Sequence, residues 1–115
     1  MQKDAKLAGT SGVIYTYEAR TIDGPWHDMA GNYAFASQTE EGYWRVFYVG
    51  ETSSLRQRLA NHELWPEAAS FGCTHVLAHD NDDGAQARQL EQRDLIKGLC
   101  PPMNSMHDPM APARA

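Results

Sequence analysis

The stretch YVGETSSLRQRLANH, Tyr48–His62, decides the fold. It begins at the end of a run of β-branched and aromatic residues, which is typical of a strand. Gly50 permits a tight turn there, and Thr52 or Ser53 then caps a helix that runs to about Asn61. The sequence therefore predicts a strand, a turn and a helix in direct succession.

Three side chains of this stretch are a phenol, a guanidinium and an imidazole. On a helix of about 100° per residue, Arg58 and His62 lie about 40° apart on the inward-leaning edge, whereas Arg56 faces solvent. Tyr48 stands at the end of the strand that leads into this helix. Arginine binds phosphate through two hydrogen bonds, and a partly buried tyrosine or histidine can move a proton. The combination predicts a site that handles phosphate.

Upstream of this stretch the sequence predicts two further strands and a flexible N-terminus. VIYTYEAR (13–20) is rich in β-branched and aromatic residues, and YAFA (33–36) also predicts a strand. QTEEG (38–42) is a polar hairpin loop that joins YAFA to the strand WRVFYV (44–49). Residues 1–11 are polar, and we expect them to be flexible.

Downstream, Pro66–Ala69 predicts a short helix and CTHVLA (73–78) predicts a fourth strand. The longest helix is expected over Gln86–Gly98, because two prolines stop it shortly afterwards. Residues 105–115 are expected to form a disordered tail. The predicted fold class is α+β, with a small, mostly antiparallel sheet of three core strands plus an extra N-terminal strand, flanked by helices. One domain is expected over 12–104.

Composition limits the class of protein. The chain has 115 residues, 42% hydrophobic and 22% charged, which excludes a collagen, a coiled coil and a wholly disordered chain. The net charge of -5 argues against a sequence-blind nucleic-acid coat protein, which would be basic. No apolar run approaches the roughly 18–20 residues that cross a membrane, and the N-terminus lacks the apolar segment of a signal peptide. With only two cysteines, the expected location is the reducing cytoplasm.

The order and spacing of these residues resemble the GIY-YIG nuclease family. Tyr48-Val49-Gly50 matches the second half of its pattern, with an arginine ten residues after the tyrosine and a histidine four later. The first half must be an upstream strand. Gly31-Asn32-Tyr33 places its tyrosine 15 residues before Tyr48, which suits a hairpin, whereas Tyr15 of GVIY lies 33 residues before it. We therefore assign Tyr33 to the pattern.

The C-terminal part of the chain extends the resemblance to about residues 31–104. The family carries a glutamate on a late helix, followed by Leu-Ile and Pro-x-x-Asn, and LEQRDLIKGLCPPMN matches the last two. The usual glutamate position is Gln92 here, and Glu91 is its neighbour. A helical wheel puts Gln92 at the centre of the inward face and Glu91 on its flank. An amide is a poor sole ligand for a hard cation, so a shifted Glu91 and a degenerate Gln92 position both stay open.

The resemblance implies a small metal-dependent endonuclease that hydrolyses nucleic-acid phosphodiester bonds. One Mg²⁺ or Mn²⁺ ion would be held by Glu91 or at the Gln92 position. Tyr33 would be the general base for water, helped by Tyr48 or His62. Arg58 would stabilise charge on the phosphoryl oxygens. The expected catalytic residues are Tyr33, Tyr48, Arg58 and His62. The expected supporting residues are Gly31, Gly50, Glu51 and Asn104, and the expected substrate-binding residues are Arg56 and Arg88.

The alternative is a catalytically degenerate module of the same fold that binds nucleic acid or a protein partner without cleavage. DNA is the expected nucleic acid, RNA stays open, and a protein partner could supply specificity. An intrahelical ion pair with its acidic neighbour would be an ordinary role for Arg88. Cys73 and His75 share one face of the predicted strand, but no Cys-x-x-Cys pair exists, so we do not favour a zinc site.

Overall fold

The computed structural model describes residues 3–107. Its elements are β1 Lys3–Ala8, β2 Ile14–Thr21, β3 Gly31–Gln38, β4 Trp44–Thr52, α1 Leu55–Ala60, α2 Trp65–Ser70, β5 His75–Asp80, α3 Ala85–Leu99 and α4 Pro102–His107. The strands lie in the order β1-β2-β5-β3-β4, and every pairing is antiparallel. The α+β class is confirmed, with five strands in the sheet instead of the expected four.

The sheet buries an apolar core on each face, because successive strand side chains point in opposite directions. The first core lies against α3 and includes Ala34, Val49, Leu77 and Leu95. The second core lies under α1 and α2 and includes Tyr33, Phe35, Leu55, Leu59 and Ala68. The sheet therefore separates the Tyr33 ring from the helix that carries the expected metal ligand.

The flexible N-terminus is corrected for residues 3–8, which form β1. Ala5 and Leu7 are buried and pair with Tyr17 and Tyr15 of β2, while Asp4 is exposed. The apolar alternation is only two residues long and lies among charged residues, so local sequence hardly indicates a strand there. β1 and β2 form a hairpin that extends the expected sheet beyond β5.

The expected disordered tail is corrected for residues 105–107, which belong to α4. Met103 and Asn104 of this helix are buried, so tertiary contacts continue past the two prolines that end α3. Residues 108–115 lie outside the described residues. The other elements agree with the predicted ones to within two residues at most ends, and β3 is longer by two residues at each end.

A β-bulge between Phe35 and Ala36 sets which side chains of the β3–β4 hairpin share a face. Phe35 lies opposite Tyr48, and Tyr33 lies opposite Gly50. Residues directly opposite in an antiparallel pair point to the same face, so Tyr48 joins the second core beside Tyr33.

Candidate functional site

Four predicted residues meet on the α1 face of the sheet. Tyr33 comes from β3, Tyr48 from β4, Arg58 from the last turn of α1, and His62 from the turn that follows. The rings of Tyr33, Tyr48 and His62 lie within 6.2 Å of one another by their centroids. The structure thus brings together the four residues that the pattern assigns to catalysis.

Gly50 makes this approach possible. A Cβ atom at position 50 would lie 2.4 Å from Cζ and 2.5 Å from Oη of Tyr33, closer than any side chain tolerates. Gly31 is similarly restricted, because a Cβ there would lie 2.5 Å from the carbonyl oxygen of His79. Both supporting glycines are therefore explained by close packing, and Gly50 acts directly on the position of the Tyr33 ring.

His62 is buried, with 3% of its surface exposed, and its Nε2 atom lies 2.7 Å from Oη of Tyr33. The backbone N–H of Leu64 donates to its Nδ1 atom at 3.1 Å. In the neutral imidazole the proton must therefore sit on Nε2, which donates to the Tyr33 oxygen. Burial, followed by the positive charge of Arg58, lowers the pKa of His62 to about 4, so the ring is neutral at pH 7.

Both phenols are neutral in the resting site. Burial raises the pKa of Tyr33 and of Tyr48, and this outweighs the opposing effect of Arg58 on each. A hydrogen bond from Tyr33 also acts to lower the pKa of Tyr48, as expected if the Tyr33 hydroxyl donates to the Tyr48 oxygen. Two hydrogen bonds thus run in series, from the Leu64 N–H to His62 and from His62 to the Tyr33 oxygen, and the Tyr48 ring lies beside them.

Arg58 forms a two-pronged ion pair with Glu63. Its Nη1 and Nη2 atoms donate to the two carboxylate oxygens at 2.5 and 2.8 Å. The Arg58 side chain is 33% exposed and the Glu63 side chain 64% exposed. The guanidinium holds the pKa of Glu63 at about 2, well below its usual range. The Arg58 guanidinium therefore binds the Glu63 carboxylate, whereas it was expected to bind a phosphate.

Glu91 does not reach this cluster. Its carboxylate accepts hydrogen bonds from Oη of Tyr17 at 2.5 Å and from Nδ2 of Asn81 at 3.3 Å, and it lies 2.9 Å from Nδ1 of His79. It is 5% exposed and belongs to the face of the sheet that packs on α3. Hydrogen bonding to Glu91 raises the pKa of His79. The glutamate is part of a buried polar network that joins α3 to the sheet.

The helical wheel misplaced Gln92 and Glu91. The buried residues of α3 are Arg88, Glu91 and Leu95, and Gln92 is only partly buried. Its amide Nε2 lies 3.4 Å from the carbonyl oxygen of Val49. The wheel assumed one inward direction, but α3 packs against β1, β3 and β4 together, so the covered part of its surface is wider than the apolar stripe.

The other predicted residues have structural partners. Arg88 is buried and pairs with Glu51 of β4 through Nε at 3.0 Å, so the alternative of an ion pair within its own helix is wrong, and its substrate-binding role stays a prediction. The Arg56 side chain is 68% exposed and lies 3.9 Å from a carboxylate oxygen of Asp28. Asn104 bonds both backbone groups of Val49 at 2.7 and 2.8 Å, which ties α4 to β4.

The residues present do not fit the implied metal ion. Both oxygens of Glu91 are hydrogen-bonded on the far face of the sheet from Tyr33, and Gln92 offers only an amide directed at backbone. Within residues 3–107, no three His, Cys, Asp or Glu side chains are grouped as metal ligands. This also leaves the zinc alternative without support in the described part of the chain. We assign no step to a metal ion.

Sequence reasoning missed Glu63, Tyr17, His79 and Asn81. A signal existed for Glu63, since an acid five residues after Arg58, in the turn after the helix, can fold back onto the arginine. The other three are brought to Glu91 from β2, β5 and the following loop, and nothing in their local sequence indicates that contact.

Comparison with known proteins found no matching family model, no similar curated protein and no similar solved structure. The GIY-YIG resemblance therefore rests on the residue pattern, and function has to be inferred from the site itself. Among the helices of residues 3–107, none is long and apolar enough to span a membrane.

Proposed function

We propose that this protein binds a nucleic-acid phosphodiester at the cluster of Tyr33, Tyr48, Arg58 and His62 and hydrolyses it, as a small endonuclease resembling the GIY-YIG nucleases. The single observation that carries the proposal is the meeting of these four side chains around Gly50. They come from two strands, a helix and a turn, at the spacing that the family pattern requires. DNA is the proposed substrate, and the cytoplasm is the proposed location.

Arg58 is the proposed phosphate ligand. Its guanidinium is partly exposed and already binds two oxygens in the planar, two-pronged geometry that it would use for a phosphate. Its positive charge would stabilise the charge that develops on the phosphoryl oxygens during hydrolysis. The hydroxyl of Tyr48, whose ring lies beside those of Tyr33 and His62, would donate to another oxygen.

Tyr33 is the proposed acceptor of the proton from the attacking water. Its raised pKa keeps the phenol neutral at rest, so Tyr33 must first release its own proton to solvent, and the resulting phenolate oxygen then accepts the proton of the attacking water. Two contacts oppose the effect of burial. The charge of Arg58 acts to lower the Tyr33 pKa, and His62 donates a hydrogen bond to the Tyr33 oxygen, so both favour the phenolate. The net charge of -5 predicts weak binding, so we propose that a protein partner supplies specificity.

The first prediction concerns Arg58→Ala. Incubation of plasmid DNA with the wild type in Mg²⁺ or Mn²⁺ should convert supercoiled to nicked or linear DNA, and Arg58→Ala should lower this rate at least about 100-fold, as loss of a transition-state charge partner does. Divalent ions are included because Mg²⁺ commonly enters such sites with the substrate phosphates.

Arg93→Ala is the matched control, since Arg93 is exposed on α3 and its removal changes the net charge equally. Cleavage by Arg93→Ala should equal that of the wild type. Equal rates in the wild type and Arg58→Ala, or cleavage by none of the proteins with either metal ion, would overturn the hydrolytic proposal.

A second candidate function is binding of nucleic acid without cleavage. The specific observation in its favour is that Tyr17, Asn81 and His79 hold the Glu91 carboxylate, so Glu91 does not reach Tyr33 and Tyr48. Binding in EDTA that depends on Arg58, combined with no cleavage in Mg²⁺ or Mn²⁺, would favour this candidate over the nuclease.

A further inference from the structure

We infer that Glu63 competes with the substrate phosphate for Arg58, so that the site is closed until a phosphate displaces this carboxylate. The inference rests on the proposed function and adds how access to that site is controlled.

The two-pronged pair already uses the donors that a phosphate would need. Nη1 and Nη2 of Arg58 both point at Glu63, at 2.5 and 2.8 Å. A carboxylate and a phosphate present the same kind of oxygen pair to a guanidinium, so these two donors cannot hold both ligands at once. Binding of phosphate through this edge of Arg58 therefore requires that Glu63 leaves.

Glu63 is the member of the pair that can move at little cost. It lies in the turn between α1 and α2, and its side chain is 64% exposed. Arg58 is more enclosed, and it also interacts with Tyr33. Rotation of Glu63 into solvent uncovers no apolar core, whereas movement of Arg58 would break the cluster.

The competition of Glu63 for Arg58 is weak, and ordinary changes of pH do not alter it. An exposed ion pair of good geometry corresponds to about a two- to five-fold change in an equilibrium constant. The pKa of Glu63 is held at about 2, so the carboxylate stays charged at neutral and mildly acidic pH. A polyanion that adds further contacts can displace it, while an isolated small anion competes poorly.

The test measures the Kd of a labelled DNA oligonucleotide by fluorescence anisotropy, in EDTA and at low ionic strength. Glu63→Gln keeps the shape of the side chain and removes its charge, so it should lower the Kd about two- to five-fold. Glu41→Gln is the matched control, because Glu41 is exposed in the β3–β4 turn and the change in net charge is the same. Glu63→Asp keeps the charge on a shorter side chain and should give an intermediate Kd.

The decrease in Kd caused by Glu63→Gln must also depend on Arg58. In an Arg58→Ala background, Glu63→Gln should give no larger gain than Glu41→Gln does. If Arg58→Ala weakens binding but Glu63→Gln matches Glu41→Gln in the wild-type background, the competition is overturned and the proposed function stands. If Arg58→Ala leaves the Kd unchanged, the proposed phosphate site fails, and the competition fails with it.

Discussion

His62 illustrates how one backbone hydrogen bond determines what a catalytic-looking side chain can do. The Leu64 N–H donates to Nδ1, so the neutral ring has to donate from Nε2 to Tyr33. A histidine in this state cannot take the Tyr33 proton unless it gives up the bond to Leu64. His62 therefore orients and polarises Tyr33, and the donors offered to a ligand are Tyr48 and Arg58.

Gly50→Ala tests the dependence of the site on one close contact. The added methyl group would collide with the Tyr33 ring at 2.4 Å, so the ring must leave the position in which its hydroxyl meets His62. Overpacking of this kind costs about 1–3 kcal/mol of unfolding free energy. Urea denaturation should show that loss, and DNA cleavage or Arg58-dependent binding should fall at least about 10-fold by loss of alignment.

Ser53→Ala, an exposed neighbour in the same turn region, is the control for Gly50→Ala and should leave stability and binding unchanged. Wild-type stability together with wild-type binding in Gly50→Ala would contradict the role assigned to this glycine.

β4 is an edge strand, and α4 completes it. The backbone N–H and C=O of Val49 point away from β3, because alternate residues of an antiparallel pair direct these groups outward. The side chain of Asn104 accepts from the Val49 N–H and donates to its C=O, as a neighbouring strand would. The side-chain amide of Asn104 thus provides hydrogen-bond partners for the backbone of Val49 at this edge of the sheet, beside Tyr48 and Gly50.

Asn104→Ala should cost about 1–3 kcal/mol of unfolding free energy, because it leaves the buried N–H of Val49 without a partner and its C=O with only the 3.4 Å contact from Gln92. Thermal or urea unfolding measures this loss. Met106→Ala in the same helix should be close to neutral, since Met106 is 60% exposed. A cost for Asn104→Ala no greater than that for Met106→Ala would show that α4 does not hold the edge of β4.

The sequence predicted the helices and strands better than the contacts between them. Strand composition and the prolines after α3 placed seven of the nine observed elements at least in part, but β1 was assigned to a flexible N-terminus and α4 was not predicted as a helix. The Glu91 network could not be predicted, because its members meet only when β2 and β5 pair and α3 packs across them.

Across the whole molecule, the arginines expected to face a phosphate are each placed beside an acid. Arg58 pairs with Glu63, Arg88 with Glu51, and Arg56 lies near Asp28. The positive charge of each of these arginines is therefore offset by a carboxylate that the tertiary structure brings to it. With a net charge of -5, nucleic-acid binding should be weak and sensitive to salt.

The pH dependence of stability should carry the signature of His62. Its pKa is lowered in the fold from 6.5 to about 4, so the unfolded chain takes up the proton first as the pH falls. The free energy of unfolding should therefore fall between about pH 6.5 and pH 4, by up to about 3 kcal/mol from this residue. Urea denaturation of the wild type and His62→Gln at pH 7 and pH 4.5 measures the difference.

His79 should have the opposite effect on the free energy of unfolding. Its pKa is raised by Glu91, so its protonation stabilises the fold as the pH falls. His62→Gln should reduce the loss of stability at acid pH, whereas His79→Gln should increase it. The same pH dependence in the wild type and His62→Gln would contradict the assignment of a buried, neutral His62.

The sequence by itself determined the α+β class, the β3–β4 hairpin and the four residues of the cluster, because these depend on local propensity and on spacing along one continuous segment. The tertiary structure alone decided which groups surround them. It placed Glu91 on the opposite face of the sheet from Tyr33, directed His62 as a donor and put Glu63 on Arg58. Each of these depends on side-chain direction across packed elements, where a rotation of about 100° on a helix, or one residue on a strand, changes the partner.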